Sequence, residues 1–304
     1  MSSVTVIGAG VVGLSVAHEL AGSGHRVRVL ADRPATASVS AVAAAIWFPH
    51  DVQRSAAVVD SSAVAYRRFR ELAADPATGV HMRTGMVHVR RPDADLSWTR
   101  AVPDHEITPE GVRCTVPLIE TGVYLSWLRD AVLAQGTPIR THRVTSLGDV
   151  LPDTDAVVVA AGIGSAALLG DDEVYPIRGQ VVRLANPGLT DWLTDEDNPD
   201  GLTYVVPRRD DVVCGGTGEV GDWNEVPDPR IEAAILRRVR ALVPALEGQP
   251  VLSRAAGLRP ARSTVRVERV PGHPGPVFAC YGHGGAGVTL SWGDAARIAA
   301  LVVS

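Results

Sequence analysis

Val4-Thr5-Val6-Ile7 is a short apolar, β-branched run, the pattern of a strand buried on both faces. After a glycine-rich turn, apolar residues recur at helical spacing from Val11 to Leu20, and Gly22 and Gly24 mark a helix end. Arg26 to Leu30 alternates as a second strand, closed by Ala31-Asp32-Arg33. Further along, the periodicity predicts helices over 60–74 and 122–135, with a strand over 85–90 between them. Strand candidates then follow one another at 174–184, 202–206 and 211–214 before a helix over 229–243. Strands in sequence without intervening helices signal an antiparallel sheet. A last strand–loop–helix unit, 277–303, returns to the opening pattern. The expected fold is therefore α/β (α+β). A Rossmann-like nucleotide-binding domain is built from discontinuous segments 1–78, 116–172 and 252–304, with an inserted antiparallel-sheet substrate domain from 79–115 and 173–251.

Composition narrows the classes. The chain has 304 residues, 46% hydrophobic and 21% charged, the profile of an ordinary soluble globular protein. A net charge of −5 lacks the basic footprint of a nucleic-acid binder. All 29 basic residues are arginine, which excludes a P-loop NTPase, a pyridoxal-phosphate Schiff base and any lysine nucleophile. Cys114, Cys214 and Cys280 are too few and too scattered for a disulfide framework or a zinc cluster, although one pair plus a free thiol stays open. The apolar stretch 4–20 contains His18 and Glu19 and lacks a basic start, so it reads as neither a signal peptide nor a membrane span. The closing Leu-Val-Val-Ser is no retention or peroxisomal signal. A cytoplasmic protein without membrane or nucleic-acid partners is expected; a homodimer is left open.

The turn after the first strand reads Gly8-Ala9-Gly10-Val11-Val12-Gly13, so strand, GxGxxG, helix, strand and acidic residue stand in the order a dinucleotide site needs. Gly8 permits the tight turn, Gly10 lets the backbone approach a pyrophosphate, and Gly13 allows close helix–strand packing. The pyrophosphate rests on the helix N-terminus, and Asp32 is placed to accept ribose hydroxyls. Locally this fits NAD or FAD. A second fingerprint is only hinted at by 156–164, a buried strand whose following turn touches a cofactor or is a plain crossover.

Three further segments carry a resemblance. They are Ser40-Ala41-Val42-Ala43-Ala44-Ala45-Ile46-Trp47-Phe48-Pro49, Gly257-Leu258-Arg259-Pro260-Ala261-Arg262, and the glycine-rich run from Tyr281 to Ala295. In this order the chain resembles the D-amino acid oxidase family, which includes the D-aspartate oxidases, from the first strand to the last helix. The resemblance implies FAD as cofactor. It implies hydride transfer from the substrate α-carbon to flavin N5, dioxygen as acceptor, and release of hydrogen peroxide, ammonia and a 2-oxo acid. It makes Arg259 and Tyr204 the clamp on the substrate α-carboxylate, and the Gly285 carbonyl the acceptor for its amine. Asp32 and Arg33 match residues at the adenosine, Ser40, Ala44, Ala45 and Ile46 contacts towards the flavin, and Val144 and Gly162 contacts around adenine and pyrophosphate. Gly282, Gly284, Gly287, Val288 and Thr289 complete the cofactor set with Gly8 to Gly13. The last helix would turn its positive end to the flavin, where Thr289 could hydrogen-bond O2 of the ring. His283 has no carboxylate beside it in sequence and reads as a structural histidine.

The chain also departs from the family pattern. Ala279-Cys280 stand where His-Asn is common, Phe48 replaces a polar residue, and a second lid tyrosine is missing near Asp200. The stretch 194–200 looks like a shortened, acidic lid. The D-aspartate oxidases carry an arginine where this chain has Gly218, next to Glu219, and Arg208 and Arg209 read as an exposed turn from which one of them could reach inward. Neutral D-amino acids are therefore expected ahead of D-aspartate and D-glutamate. The competing readings are a D-aspartate oxidase, a glycine-oxidase-like amine oxidase, an NAD-dependent dehydrogenase, and a non-catalytic FAD-binding module.

Overall fold

The structure is a computed structural model that describes every residue except Asp51, Arg54 and Ser304. Its strands are β1 (Ser3–Ile7), β2 (Arg26–Ala31), β3 (Val80–His88), β4 (His105–Thr108), β5 (Gly111–Ile119), β6 (Ile139–Thr141), β7 (Ala156–Val159), β8 (Tyr175–Ala185), β9 (Trp192–Asp195), β10 (Thr203–Pro207), β11 (Asp211–Gly215), β12 (Glu219–Val220), β13 (Val251–Val270) and β14 (Val277–His283). All belong to one sheet, ordered β4-β5-β3-β9-β10-β11-β8-β13-β14-β7-β1-β2-β6, with β12 attached to β8. At one end β14, β7, β1, β2 and β6 run parallel. From β14 through β13, β8, β11 and β10 to β9 every pairing is antiparallel, as the uninterrupted run of strands predicts.

Six strands, β4, β5, β6, β9, β12 and β13, lie outside the expected set, and three of them do so for a local reason. β4 is short and mostly exposed. β5 contains Pro117, which disguises a strand because proline lacks a ladder donor. β13 carries five arginines together with Gly257 and Pro260, so its apolar alternation is broken. It spans both halves of the sheet, pairing with β8 and then β14. The expected 115/116 boundary falls inside β5.

The helices are α1 (Val11–Gly22), α2 (Val39–Val42), α3 (Ala56–Leu72), α4 (Thr121–Ala134), α5 (Ser165–Leu169), α6 (Pro229–Leu242) and α7 (Gly287–Val303). The stretch Gly284–Val303 is apolar and long enough to cross a membrane, but 61% of its best window is buried inside the protein. It is a core helix, packed on α1 and α3. Helix α6 starts on an Asp228 cap with Pro229 in its first turn, and buries Ile235 and Val239 completely.

Alternation along the antiparallel strands gives the sheet two jobs. Val182, Val205 and Val212 pack under α6, whereas Val181, Val206 and Val213 belong to the opposite face with Val42, Ala44 and Tyr204. One face is closed by a helix; the other is the floor of a cavity. All three cysteines are free and buried.

Candidate active site

A cavity of about 700 Å³ runs from Asp32 and Arg33 at one end to Tyr204 and Arg259 at the other. Its first section is the β1–α1 turn. Gly8 has φ +115, and a Cβ there would lie 2.2 Å from the Ala160 carbonyl oxygen. A Cβ on Gly13 would lie 2.1 Å from the Gly8 carbonyl, so Gly13 lets α1 sit against the turn and does not itself line the cavity. With side chains excluded, the amides at the start of α1 would be open to an anion. Ser40 Oγ already accepts from Val11 N at 3.1 Å, which ties the 40–46 segment to this turn. Asp32 is held below the usual carboxylate range by hydrogen bonds from Arg33. Val144 and Gly162 line the same section. This glycine cradle, anionic Asp32 and extended apolar trough fit FAD.

The middle section is formed by Ala44, Ala45 and Ile46 on one side and Gly284, Gly285, Gly287 and Val288 on the other. Ala45 takes φ 57, a left-handed conformation that an alanine adopts at a cost of roughly 1–2 kcal/mol. The segment is pinned on both flanks: Ile119 N donates to Ala45 O at 2.9 Å and Trp47 N to Pro117 O at 2.8 Å.

At the far end the two residues expected to clamp a carboxylate, Tyr204 and Arg259, stand over positions without side chains on the strands between them. Tyr204 on β10 lies over Gly215 and Gly216, where a Cβ on Gly215 would stand 2.1 Å from its ring. Arg259 on β13 lies over Gly179 of β8, whose Cβ would stand 2.5 Å from Nη2. The two side chains thus lean towards each other across β11 and β8. Arg259 Nη1 donates to Thr217 O at 2.8 Å, which fixes the guanidinium plane. Replacing Gly179 with alanine should push Arg259 off this position. The expected result is a KM for the carboxylate substrate raised about tenfold or more with FAD still bound, checked by steady-state kinetics and the visible flavin spectrum.

Gly285 stands beside the clamp, and a Cβ there would lie 2.6 Å from the His50 ring. His50, Thr194, Glu196 and Leu202 complete this end. Thr194 is paired in register with Tyr204, and Glu196 follows two residues on, so both reach the cavity from the side Tyr204 occupies. His50 Nδ1 is hydrogen-bonded to Glu196 Oε1. Residues this far apart in the chain gave no motif; the β9–β10 register sets Thr194 opposite Tyr204, and the fold brings His50 to Glu196.

Several expectations need correction. The Thr289 hydroxyl accepts from Phe48 N at 3.1 Å and donates to Phe48 O at 2.8 Å, so it anchors the 45–48 segment and has no proton left for the flavin. Any bond from this position comes from backbone N–H groups in the first turn of α7, which lack helical partners. Gly282 does not line the cavity; its φ of +83 and close approach to Arg262 serve packing on β13. The reading of His283 as a structural histidine fits, with a carboxylate distant in sequence: Asp294, on α7, lies 3.1 Å from Nε2. Asp294 also accepts from Ser61 at 2.6 Å and Arg297 at 3.0 Å, and these partners outweigh its burial and keep its pKa lowered. Arg208 is not in an exposed turn. Its side chain is 8% exposed and donates to Ala43 O at 2.9 Å, and burial pushes its guanidinium down to about 10. Gly218 lies outside the cavity lining, and Glu219 faces the buried Arg178 at 3.4 Å. The acidic lid is largely neutralised, because Asp195 pairs with Arg90 and Asp197 with Arg91.

Comparison with known proteins places this geometry. A D-amino-acid oxidase of Rubrobacter xylanophilus is 43% identical over 313 residues, covering 99% of this chain and 96% of that protein. A human D-aspartate oxidase is 32% identical over 325 residues, covering 98% and 94%. Among solved structures, glycine oxidase from Geobacillus kaustophilus superposes with a TM-score of 0.80 at 20% identity, covering 99% of this chain and 94% of its own. The family model described as FAD dependent oxidoreductase matches residues 3–301, which is nearly the whole chain and includes cradle, trough and clamp alike. The protein belongs to the DAO family of FAD-dependent oxidoreductases.

Proposed function

We propose that the protein oxidatively deaminates D-amino acids, yielding a 2-oxo acid, ammonia and hydrogen peroxide with dioxygen as acceptor, and that neutral side chains are used ahead of D-aspartate and D-glutamate. The observation that carries this reading is the Arg259–Tyr204 clamp at the end of the cavity opposite the glycine cradle. A planar guanidinium binds a carboxylate through two parallel charge-assisted bonds, and the Tyr204 hydroxyl adds a third donor. The Gly285 carbonyl accepts from the amine. With the carboxylate and the amine both held, the C–H bond of the carbon they share is oriented, and the apolar trough excludes water from it. Bound FAD supplies the hydride acceptor. The side chains have only to position the substrate; His283 is already committed to Asp294.

A D-aspartate specificity needs a second cation for the second carboxylate, since an unpaired buried charge costs several kcal/mol. Among the described residues, the arginines lining the cavity are Arg33, Arg143 and Arg259, and Arg33 and Arg143 act on Asp32 at the other end. Arg208 is turned to the Ala43 and Ala44 carbonyls. A peroxide assay on D- and L-amino acids tests the reading. D-alanine, D-valine and D-phenylalanine should be oxidised and their L-forms not. Should D-aspartate or D-glutamate exceed every neutral substrate in kcat/KM, the D-aspartate oxidase reading replaces this one. A cytoplasmic location is part of the proposal, supported by three buried free thiols that suit a reducing compartment.

A further inference from the structure

The end of the cavity beyond the clamp carries a negative group that the positioning of an α-amino acid does not use. Glu196 follows Asp195, the last residue of β9, and lines the cavity with His50 and Thr194. Successive residues here face opposite ways. Asp195 is fully buried against Arg90 and accepts from Asn198 Nδ2 at 3.0 Å, while Thr194 and Glu196 on either side of it face inward. Glu196 is held by His50 through Oε1 alone, and its side chain is 33% exposed. Thr194 makes the point independently. It is 5% exposed, lines the cavity, and its buried hydroxyl oxygen has no hydrogen-bond partner. A buried hydroxyl without a partner costs stability unless a ligand supplies one.

Both groups sit next to the substrate's anchors. Thr194 is opposite Tyr204 in the β9–β10 register, and the His50 ring touches Gly285. A substrate held by its α-carboxylate and amine would therefore project its side chain along the wall made by Phe48, His50, Thr194, Glu196 and Leu202. Resting on the D-amino-acid reading above, we propose that Glu196, oriented by His50 and joined by Thr194, is the specificity-determining anion of the side-chain subsite. It favours D-amino acids whose side chain ends in a cationic hydrogen-bond donor, as in D-lysine and D-arginine, and repels acidic ones. A carboxylate in a partly enclosed cavity interacts with charge more strongly than one in bulk water, and the sign of Glu196 sets which side chains gain. His50 contributes by occupying one oxygen and leaving the other for the ligand.

The test compares the wild-type holoenzyme with Glu196→Gln on D-lysine, D-arginine, D-leucine and D-glutamate. The readout is the ratio of kcat/KM for each charged substrate to that for D-leucine. The expected result is a D-lysine to D-leucine ratio that falls about tenfold or more in the variant, with the D-glutamate to D-leucine ratio rising. An unchanged ratio in an enzyme that still oxidises D-leucine overturns the subsite alone. No oxidation of any D-amino acid by the wild type overturns the activity on which it rests. A second measurement needs no variant. 6-Aminohexanoate, which is lysine without its α-amine, should perturb the flavin spectrum of the wild-type holoenzyme at a concentration about tenfold lower than hexanoate does. Equal or weaker binding of the amino compound would overturn the proposal.

Discussion

Arg259→Leu is expected to lose nearly all oxidation of D-amino acids while the protein still binds FAD. The guanidinium reaches the substrate end of the cavity from β13, and its orientation is set by the 2.8 Å bond to Thr217 O. Leucine fills a similar volume, so the sheet keeps its packing over Gly179, but the α-carboxylate loses its charge partner. A hydrogen bond to a charged group contributes about 1.5–3 kcal/mol, and two are lost together, which lowers kcat/KM by about a hundredfold or more. The cofactor cradle is at the other end of the cavity, so the visible flavin spectrum and the FAD released on denaturation should match wild type. Steady-state kinetics on D-alanine with that spectrum as control decide the matter. A variant that keeps half the wild-type activity would show that the clamp is elsewhere.

Gly8→Val should remove the cofactor instead. Two effects combine at this position. At φ +115 a β-branched side chain is strained wherever it points, and its Cβ would stand 2.2 Å from the Ala160 carbonyl oxygen, inside any real contact. The β1–α1 turn and the Ala160–Gly162 segment, both of which line the cavity, would have to separate. The purified variant is expected to be colourless, with FAD affinity down about a hundredfold or more, a loss near 3 kcal/mol. Gly10→Ala provides a graded comparison, because its Cβ would meet only the Ser40 hydroxyl at 3.3 Å and that side chain can turn aside. It should bind FAD more weakly than wild type yet visibly better than Gly8→Val. Flavin content after gel filtration, alongside far-UV circular dichroism to confirm folding, measures both. Equal flavin in Gly8→Val and wild type would mean the cradle is not where the pyrophosphate rests.

The cofactor half of the site was readable because its determinants are local. Glycines at fixed offsets, a strand before them and Asp32 after the next strand follow from one βαβ unit, and each residue's task depends on neighbours within the same turn. The glycines of the closing run were readable only through a resemblance, and two of its residues act differently from what that implied. Thr289 spends its hydroxyl on Phe48, and Gly282 makes room for Arg262. No local pattern announces either contact, because the partner is 241 residues away in the first case and on the neighbouring strand in the second.

The substrate half shows the limit more sharply. The period-two alternation of β8, β10 and β11 already divides their residues between two faces, but the face that looks into the cavity is set by where α6 packs. Gly179, Gly215 and Gly216 look like ordinary strand glycines until the sheet order puts them under Arg259 and Tyr204. Arg208 reads as a surface turn residue after Pro207, yet the 43–44 segment folds over it and supplies its acceptors. The acidic stretch 194–200 reads as uniform charge, whereas β3 and its continuation bring Arg90 and Arg91 to Asp195 and Asp197 and leave Glu196 facing the cavity. The sequence by itself thus determined the class of fold and the dinucleotide cradle, since these depend on spacing within single elements, whereas Arg259 and Tyr204 were named as a carboxylate clamp only through the resemblance. The tertiary structure alone decided which charges survive at the substrate end. A side chain's partner across a sheet is set by strand register, and register is a property of two segments that the chain's order does not bring together.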